Sequence, residues 1–415
     1  MRIGILTFHR SYNYGAYMQS YALSTRVMRD FPGADVEIID YAPARMYKNY
    51  DTSVKTYIFG PEHAPSSPIT ACKKAVKLIL NPTQLKKTRT LHKAFERDLK
   101  YLPLSDYRVV SDDYIEAFDA IRGKYDVVVV GSDCVWEFIT YGFPNPYFLN
   151  DNLGAFKMSY AASSDRMHIS AVTEEQQKYI KEALSDFEYL GIRDVATENF
   201  SKHIVPDKTT SHNCDPTVIL DINDFADEKE IVKNKLLTAG IDLSKPIIGL
   251  MCSDEIADAA ISHFGAEYQY VSLYWQNKNS NVSLCDLTPR EWAVAFSFFK
   301  LTITRFFHGT LLSMKNGVPA LTIDEWPMTD EEHISKLEDL YNRLDLKEHY
   351  CRRSDYLDGE KQKQILNTAK SFIDNSVDKE KIVTAMNKEA DSYLNFKNEL
   401  EKVISKLEKG ENEND

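Results

Sequence analysis

The sequence predicts an α/β fold of two domains, each built on a parallel sheet. Three observations carry that expectation. Short apolar, β-branched runs alternate along the chain with stretches of helical spacing, the pattern of parallel strands joined by helical crossovers. A strand stands at the extreme N-terminus (residues 2–8), followed by a glycine-containing loop and a helix, which is how a Rossmann-like half begins. The chain also has 415 residues, long for a single hydrophobic core.

Bulk properties exclude several classes. A hydrophobic content of 43% is ample for globular cores, while a net charge of −12 argues against a nucleic-acid partner, which normally requires a basic face. No apolar run approaches a membrane span, and the first fifteen residues read as strand and loop rather than as a signal peptide. Cys72, Cys134, Cys214, Cys252, Cys285 and Cys351 are scattered without a CxxC pair, so neither a zinc knuckle nor a disulfide framework is indicated. Reduced thiols in a cytoplasmic protein are the expectation. His9, His203, His212 and His263 show no ligand spacing, and no metal is expected.

Taken in order, residues 17–28 read as a helix and 36–41 as the next strand. Asn13-Tyr14-Gly15-Ala16 is not GxGxxG, and no other stretch supplies that fingerprint, so no dinucleotide cofactor is expected. Residues 42–70, rich in Tyr, Pro and Ser, read as a long loop, and 69–80 and 83–99 as helices whose Lys86-Lys87 lies on a solvated face. Residues 126–130, DVVVV, read as a central strand buried on both faces, ending in Gly131-Ser132-Asp133. Strand Phe156–Ala162, helix Glu174–Ser185 and a strand over 189–193 follow. The first domain is placed at 1–220, with charged residues 221–234 as linker candidate and a second domain over 221–358. There the pattern gives strand 246–251, helix 254–263, strand 267–274, helix 289–300 and helix 331–344. Residues 360–376 and 378–408 read as C-terminal helices. Ile382, Met386, Tyr393, Leu400, Val403 and Leu407 form a stripe on the last one, suited to docking on the body of the protein. Residues 409–415 read as a disordered tail.

The chain is organised around residues 301–324, LTITRFFHGTLLSMKNGVPALTID. Leu301–Thr304 and residues 319–323 are short β-branched strands, and 308–315 has helical spacing with Gly317-Val318-Pro319 as its stop. In such βαβ units ligands bind beyond the carboxyl ends of the strands, where Arg305 and His308 fall. Gly309 and Thr310 are expected to open the helix, whose amides and dipole favour an anion. An arginine, a histidine and a helix N-terminus at one turn suit a phosphate or carboxylate. The plain alternative is a loop arginine beside a capping histidine.

Several separate stretches, in order, carry a resemblance. They are Asn13-Tyr14-Gly15-Ala16, VVVVGSDCVW ending at Trp136, MSYAAS at 158–163, GIRD at 191–194, Asp215-Pro216, RFFHGTLLSMKNGVP and Ser335-Lys336. Together they make the first 340 or so residues resemble the polysaccharide pyruvyl transferase family. Cys134 and Glu137 stand where members often carry Gln and Asn, and Ser164-Asp165 follows YAAS where a phenylalanine and a glycine are usual. The resemblance implies a glycosyltransferase-B-like protein, two Rossmann-like domains facing a cleft, with C-terminal helices.

It also implies transfer of the enolpyruvyl unit of phosphoenolpyruvate to a sugar diol, with a pyruvate ketal formed and phosphate released. The acceptor would be a glycan or its lipid-linked precursor, with peripheral membrane association through that substrate and a homodimer both left open. On this reading Arg305, Gly309, Thr310, Arg193 and Lys336 bind the donor, and His308 is the general acid/base. Asp133 is a second acid/base candidate, while Asn13 and Trp136 contact the acceptor. Each has a structural alternative. Arg193 would pair with Asp194 or a nearby carboxylate, Lys336 would be a surface lysine and Asp133 a helix cap. Asn13 would form a turn, and Trp136 would fill the core. The competing functions are a glycosyltransferase with a nucleotide-sugar donor and a non-catalytic binding relative.

Overall fold

The computed structural model describes residues 1–60, 65–80, 83–138, 142–165, 167, 169–274, 276–325 and 334–410. They form two compact units, Met1–Ile219 with Ser392–Asp415, and Leu220–Asp391.

The first unit is built on seven strands: β1 (Arg2–Leu6), β2 (Asp35–Ala42), β3 (Leu104–Val110), β4 (Val127–Val130), β5 (Phe156–Ala162), β6 (Phe187–Ile192) and β7 (Thr210–His212). Their order is β3-β2-β1-β4-β5-β6-β7, and every pairing is parallel. The four valines of β4 are all fully buried. A strand covered on both faces has no solvent side to alternate towards, which explains an unbroken β-branched run. The strand order reverses between β1 and β4, so the crevice beyond their carboxyl ends is the natural ligand position.

The second unit repeats the design with β8 (Ile247–Met251), β9 (Gln269–Leu273), β10 (Val282–Leu284), β11 (Leu301–Thr304), β12 (Ala320–Asp324) and β13 (Tyr350–Arg352). The order is β10-β9-β8-β11-β12-β13, again parallel throughout. The switch point here falls between β8 and β11. Gly249 in β8 is required by close packing, because a Cβ there would lie 2.3 Å from the Phe299 ring.

Some expectations are corrected. Residues 42–70 are not one long loop, since helices Ala44–Asn49 and Val54–Phe59 occupy much of the stretch, with 61–64 outside the described residues. The linker candidate 221–234 is a 3-10 turn, Ile222–Phe225, leading into helix Ala226–Thr238. Val232 and Leu236 of that helix are buried in the second unit. The C-terminal helices divide between the units. Gly359–Asp374 and Ser376–Ala390 stay with the second, while Tyr393–Lys409 returns to the first. The expected stripe is thus split, with Ile382 and Met386 buried on one helix and Tyr393, Leu400 and Val403 on the other. The expected start of helix 331–344 falls partly outside the described residues, and its described part is Lys336–Leu344. Residues 411–415 of the expected tail are also outside them.

Candidate functional site

The second unit's site grows from the end of β11. The backbone ladder runs one residue past the strand, with Arg305 N–H donating to Met251 O at 3.1 Å. Thr304 Oγ1 then accepts from Phe306 N at 3.0 Å and turns the chain into helix Phe307–Lys315. Phe306, at the N-cap position, carries no capping acceptor. The positive end of that helix lies at the sheet's switch point, where an anion is favoured.

Arg305 and His308 lie on this turn, both half-buried. The Arg305 guanidinium sits over the Phe306 ring, 4.8 Å from its centroid, and its Nη1 is ion-paired with Glu325, just beyond β12. A carboxylate therefore already engages the arginine, and any anionic ligand must share or displace it. Beside the pair, at the end of β8, burial pushes the Cys252 thiol up, Glu325 adds to the rise and Arg305 opposes it. Asn277 ties the loops together, its Nδ2 donating to Cys252 O at 3.0 Å and Asp254 Oδ1 at 3.2 Å. Lys336 is half-buried at the first position of helix Lys336–Leu344. That helix starts from Ser335, whose Oγ donates to Asp324 at the end of β12. Arg305, His308 and Lys336 thus all follow the carboxyl ends of β11 and β12.

Two donor candidates take other places. The helix opens two residues before Gly309, and Thr310 is fully buried. Thr310 N bonds Phe306 O at 2.9 Å and its Oγ1 lies 2.7 Å from Thr322 Oγ1, so it belongs to the helix–sheet contact and not to a ligand. Gly309 is buried too, and a Cβ there would lie 2.8 Å from Thr304 Oγ1 and 3.2 Å from Met251 Sδ. Its smallness brings the helix onto the strand ends.

In the first unit, the ends of β1 and β4 are tied by Gln19, which is buried. Its Nε2 donates to Thr7 Oγ1 at 2.8 Å, and its Oε1 accepts from Ser132 N at 3.1 Å. Asp133 follows with φ 78°. It is no helix cap: its Oδ1 accepts from Cys134 N at 2.9 Å and lies 3.6 Å from Arg193 Nη1. Arg193 is corrected from an anion ligand to the centre of a closed ion cluster, as its alternative reading had it. It is 1% exposed, bonds Asp215 at 3.0 Å, and has Asp194 at 3.8 Å and Cys134 Sγ at 3.6 Å. Burial alone would lower its pKa, but Cys134, Asp133, Asp215 and Asp194 more than offset that and hold it above the usual value. Of its three carboxylates, Asp133 is the one that keeps appreciable exposure.

Trp136 is corrected from acceptor contact to core. It is fully buried, stacks on Phe148 at 5.9 Å, and its Nε1 donates to Tyr147 O at 3.2 Å. Asn13 is exposed and caps helix Tyr14–Asp30, accepting from Gly15 N at 2.9 Å. Sequence reasoning missed the cluster beyond β1, where buried Asp40 meets His9 Nε2 at 3.0 Å and Arg10 Nε at 2.8 Å. Burial would raise the Asp40 carboxyl, yet hydrogen bonds from His9 and Arg10 hold it well below the usual range. Glu325 was missed as well; the acidic pair ending the 319–323 strand was its one signal.

Solved structures similar to this chain include a UDP-N-acetylglucosamine 2-epimerase (TM-score 0.51, 11% identity, 98% of this chain and 94% of that one covered). Another is a putative UDP-N-acetylglucosamine 2-epimerase from Listeria monocytogenes (0.50, 10%, 100% and 97%). A third is the E. coli ADP-heptose lps heptosyltransferase II (0.38, 11%, 90% and 98%). At such identities the first two show the fold alone, an α/β architecture of the glycosyltransferase-B-like type. No curated protein matches the chain. The model of the polysaccharide pyruvyl transferase family matches residues 13–327, most of the chain, and the protein is a member of that family.

Proposed function

We propose that the protein transfers the enolpyruvyl unit of phosphoenolpyruvate to two hydroxyls of a sugar in a glycan or its precursor, forming a cyclic pyruvate ketal and releasing phosphate. The observation that carries this reading is the Arg305–His308 turn, a cation and an imidazole at a helix N-terminus on a sheet's switch point. The donor presents a carboxylate and a phosphate on a three-carbon frame. Arg305 holds one of them in bidentate fashion, and the helix dipole favours the other. His308 delivers a proton to the methylene carbon, which becomes the methyl group. The C–O bond to phosphate breaks, and two C–O bonds form from the sugar hydroxyls to the same carbon. Of the two hydroxyl protons, one balances the methyl group and the other leaves with phosphate. In the first unit, Asp133 and Asn13 stand at the corresponding sheet end and are assigned to the acceptor, Asp133 as hydroxyl base.

The test is thermal unfolding of the purified protein with phosphoenolpyruvate, with UDP-sugars in parallel, for wild type and Arg305→Gln. A ligand bound only by the folded state raises the melting point, by about 3 °C or more at saturating excess. A rise with phosphoenolpyruvate that Arg305→Gln removes supports the donor. A rise with UDP-sugar alone overturns it in favour of a nucleotide-sugar enzyme.

A further inference from the structure

Helix Pro68–Leu80 of the first unit is inside out. An ordinary surface helix buries its apolar stripe, yet Ala71 is the one side chain this helix buries. Ile69 is 70% exposed, Val76 56%, and Ile79 and Leu80 79% each. At 100° per residue these four, with exposed Cys72, fall within about 100° of arc, an outward apolar stripe. Lys73 and Lys77, both exposed, border it, while Ala71, Ala75 and Leu78 form the opposite, inner side. The neighbouring helix Val54–Phe59 extends the apolar surface with Phe59, 57% exposed. Charge is polarised in the same place. Residues 65–93 hold seven Lys or Arg and no Asp or Glu, in a chain whose 62 acidic residues outnumber its 50 basic ones.

We infer that this helix is a docking surface for an anionic lipid bilayer, lying in the headgroup plane with Ile69, Val76, Ile79 and Leu80 in the acyl boundary. Charge complementarity selects that occupant. Lysines bordering an aliphatic stripe keep their ammonium groups at lipid phosphates while their stems follow the apolar surface. A second copy of the chain in a two-fold arrangement would set this basic patch against itself. Among the described residues no helix is long and apolar enough to cross a membrane, so the contact is peripheral. The inference does not depend on the proposed reaction.

The experiment is co-sedimentation of the full chain with phosphatidylcholine vesicles, with and without about one-third phosphatidylglycerol, at low salt and at about 0.5 M NaCl. The variants are Ile79→Asp/Leu80→Asp and Lys73→Glu/Lys77→Glu. All four positions are on the surface, so unchanged melting points certify folding. Expected are binding to anionic vesicles, little to neutral ones, and a loss of at least about fivefold in either double variant, with salt weakening the wild type. Absence of binding to anionic vesicles overturns the inference, as does binding by both variants as tight as that of the wild type. So does a concentration-dependent dimer that Ile79→Asp/Leu80→Asp dissociates without vesicle binding, which would assign the face to a second copy.

Discussion

Arg193 donates to Asp215 at 3.0 Å with both side chains almost wholly buried, 2% and 1% exposed, whereas Arg305 and Glu325 pair at a turn where their side chains keep 13% and 7% exposure. The two arginines look alike in sequence, each following a strand, but they differ in what their loss does. Arg193→Ala strands Asp215 and Asp194 in the interior without their cation. Breaking a buried pair of this kind costs about 3–5 kcal/mol, and Arg193→Lys recovers little because an ammonium cannot span three carboxylates as a planar fork does. Urea midpoints check this; a shift below 1 kcal/mol would refute the clamp.

Glu325 competes for the arginine assigned to the donor. Glu325→Gln removes the competing charge and should tighten phosphoenolpyruvate binding about tenfold, read by calorimetry. Weakened binding would instead make Glu325 a group that orients Arg305 for its ligand.

How far the sequence reached depends on which side chains decide each element. The 301–324 unit is legible because its β-branched runs, helical spacing and Gly-Val-Pro stop all agree, and β11 and β12 fall there within a residue. β3, by contrast, is a partly exposed strand whose sequence, LSDYRVV, has no clean alternation, so tertiary pairing with β2 makes it a strand. At the site, chain position told where Arg305 and His308 would lie, but not what else would reach them. Glu325 meets Arg305 from twenty residues away, and Asp215 meets Arg193 from twenty-two. Local pattern carries no information about such partners. Thr310 and Trp136 were misplaced for a related reason: a residue next to a functional turn can point into the core, and burial is a property of the fold.

Gly131 marks the end of β4 with φ +119°, and a Cβ there would lie 2.1 Å from the backbone oxygen of Tyr160 on β5. No side-chain rotation relieves that contact. Gly131→Ala should therefore cost about 3 kcal/mol or more, lowering soluble yield and melting temperature together. A variant as stable as wild type would mean that β4 and β5 can part here without penalty.

His349 predicts a pH response. It is 1% exposed, stacked on Phe372 at 3.9 Å, with Nδ1 3.2 Å from Ala320 O. Burial lowers its pKa, with Lys381 in the same sense, against Glu348, Ala320 O and Asp378, which raise it. The folded state thus favours the neutral ring. Above the unfolded value near 6.5 the two states bind protons alike. As pH falls below it, the unfolded chain takes up a proton first and stability drops. Urea midpoints at about pH 7.5 and 5.5 should fall in wild type and fall less in His349→Gln. Asp40, held low, stays ionised across that window in both folded proteins. An unchanged slope in the variant would remove His349 from the account.

The return of the chain to the first unit is fixed by a few contacts on helix Tyr393–Lys409. Ser392 prepares its start: its Oγ accepts from Cys214 N at 2.8 Å and its backbone oxygen from Asn213 Nδ2 at 2.9 Å. Phe396, fully buried, then meets Tyr160 edge-on at 5.0 Å and lies 6.0 Å from Tyr189. Phe396→Ala opens a cavity between helix and sheet and should cost about 3–5 kcal/mol. Leu394→Ala, on the exposed side, should stay within about 0.5 kcal/mol. Because the helix belongs to the first unit, the loss should appear in unfolding while phosphoenolpyruvate affinity, assigned to the second unit, is kept. Equal effects of Phe396→Ala and Leu394→Ala on stability would show that this helix is not what completes the first unit's core.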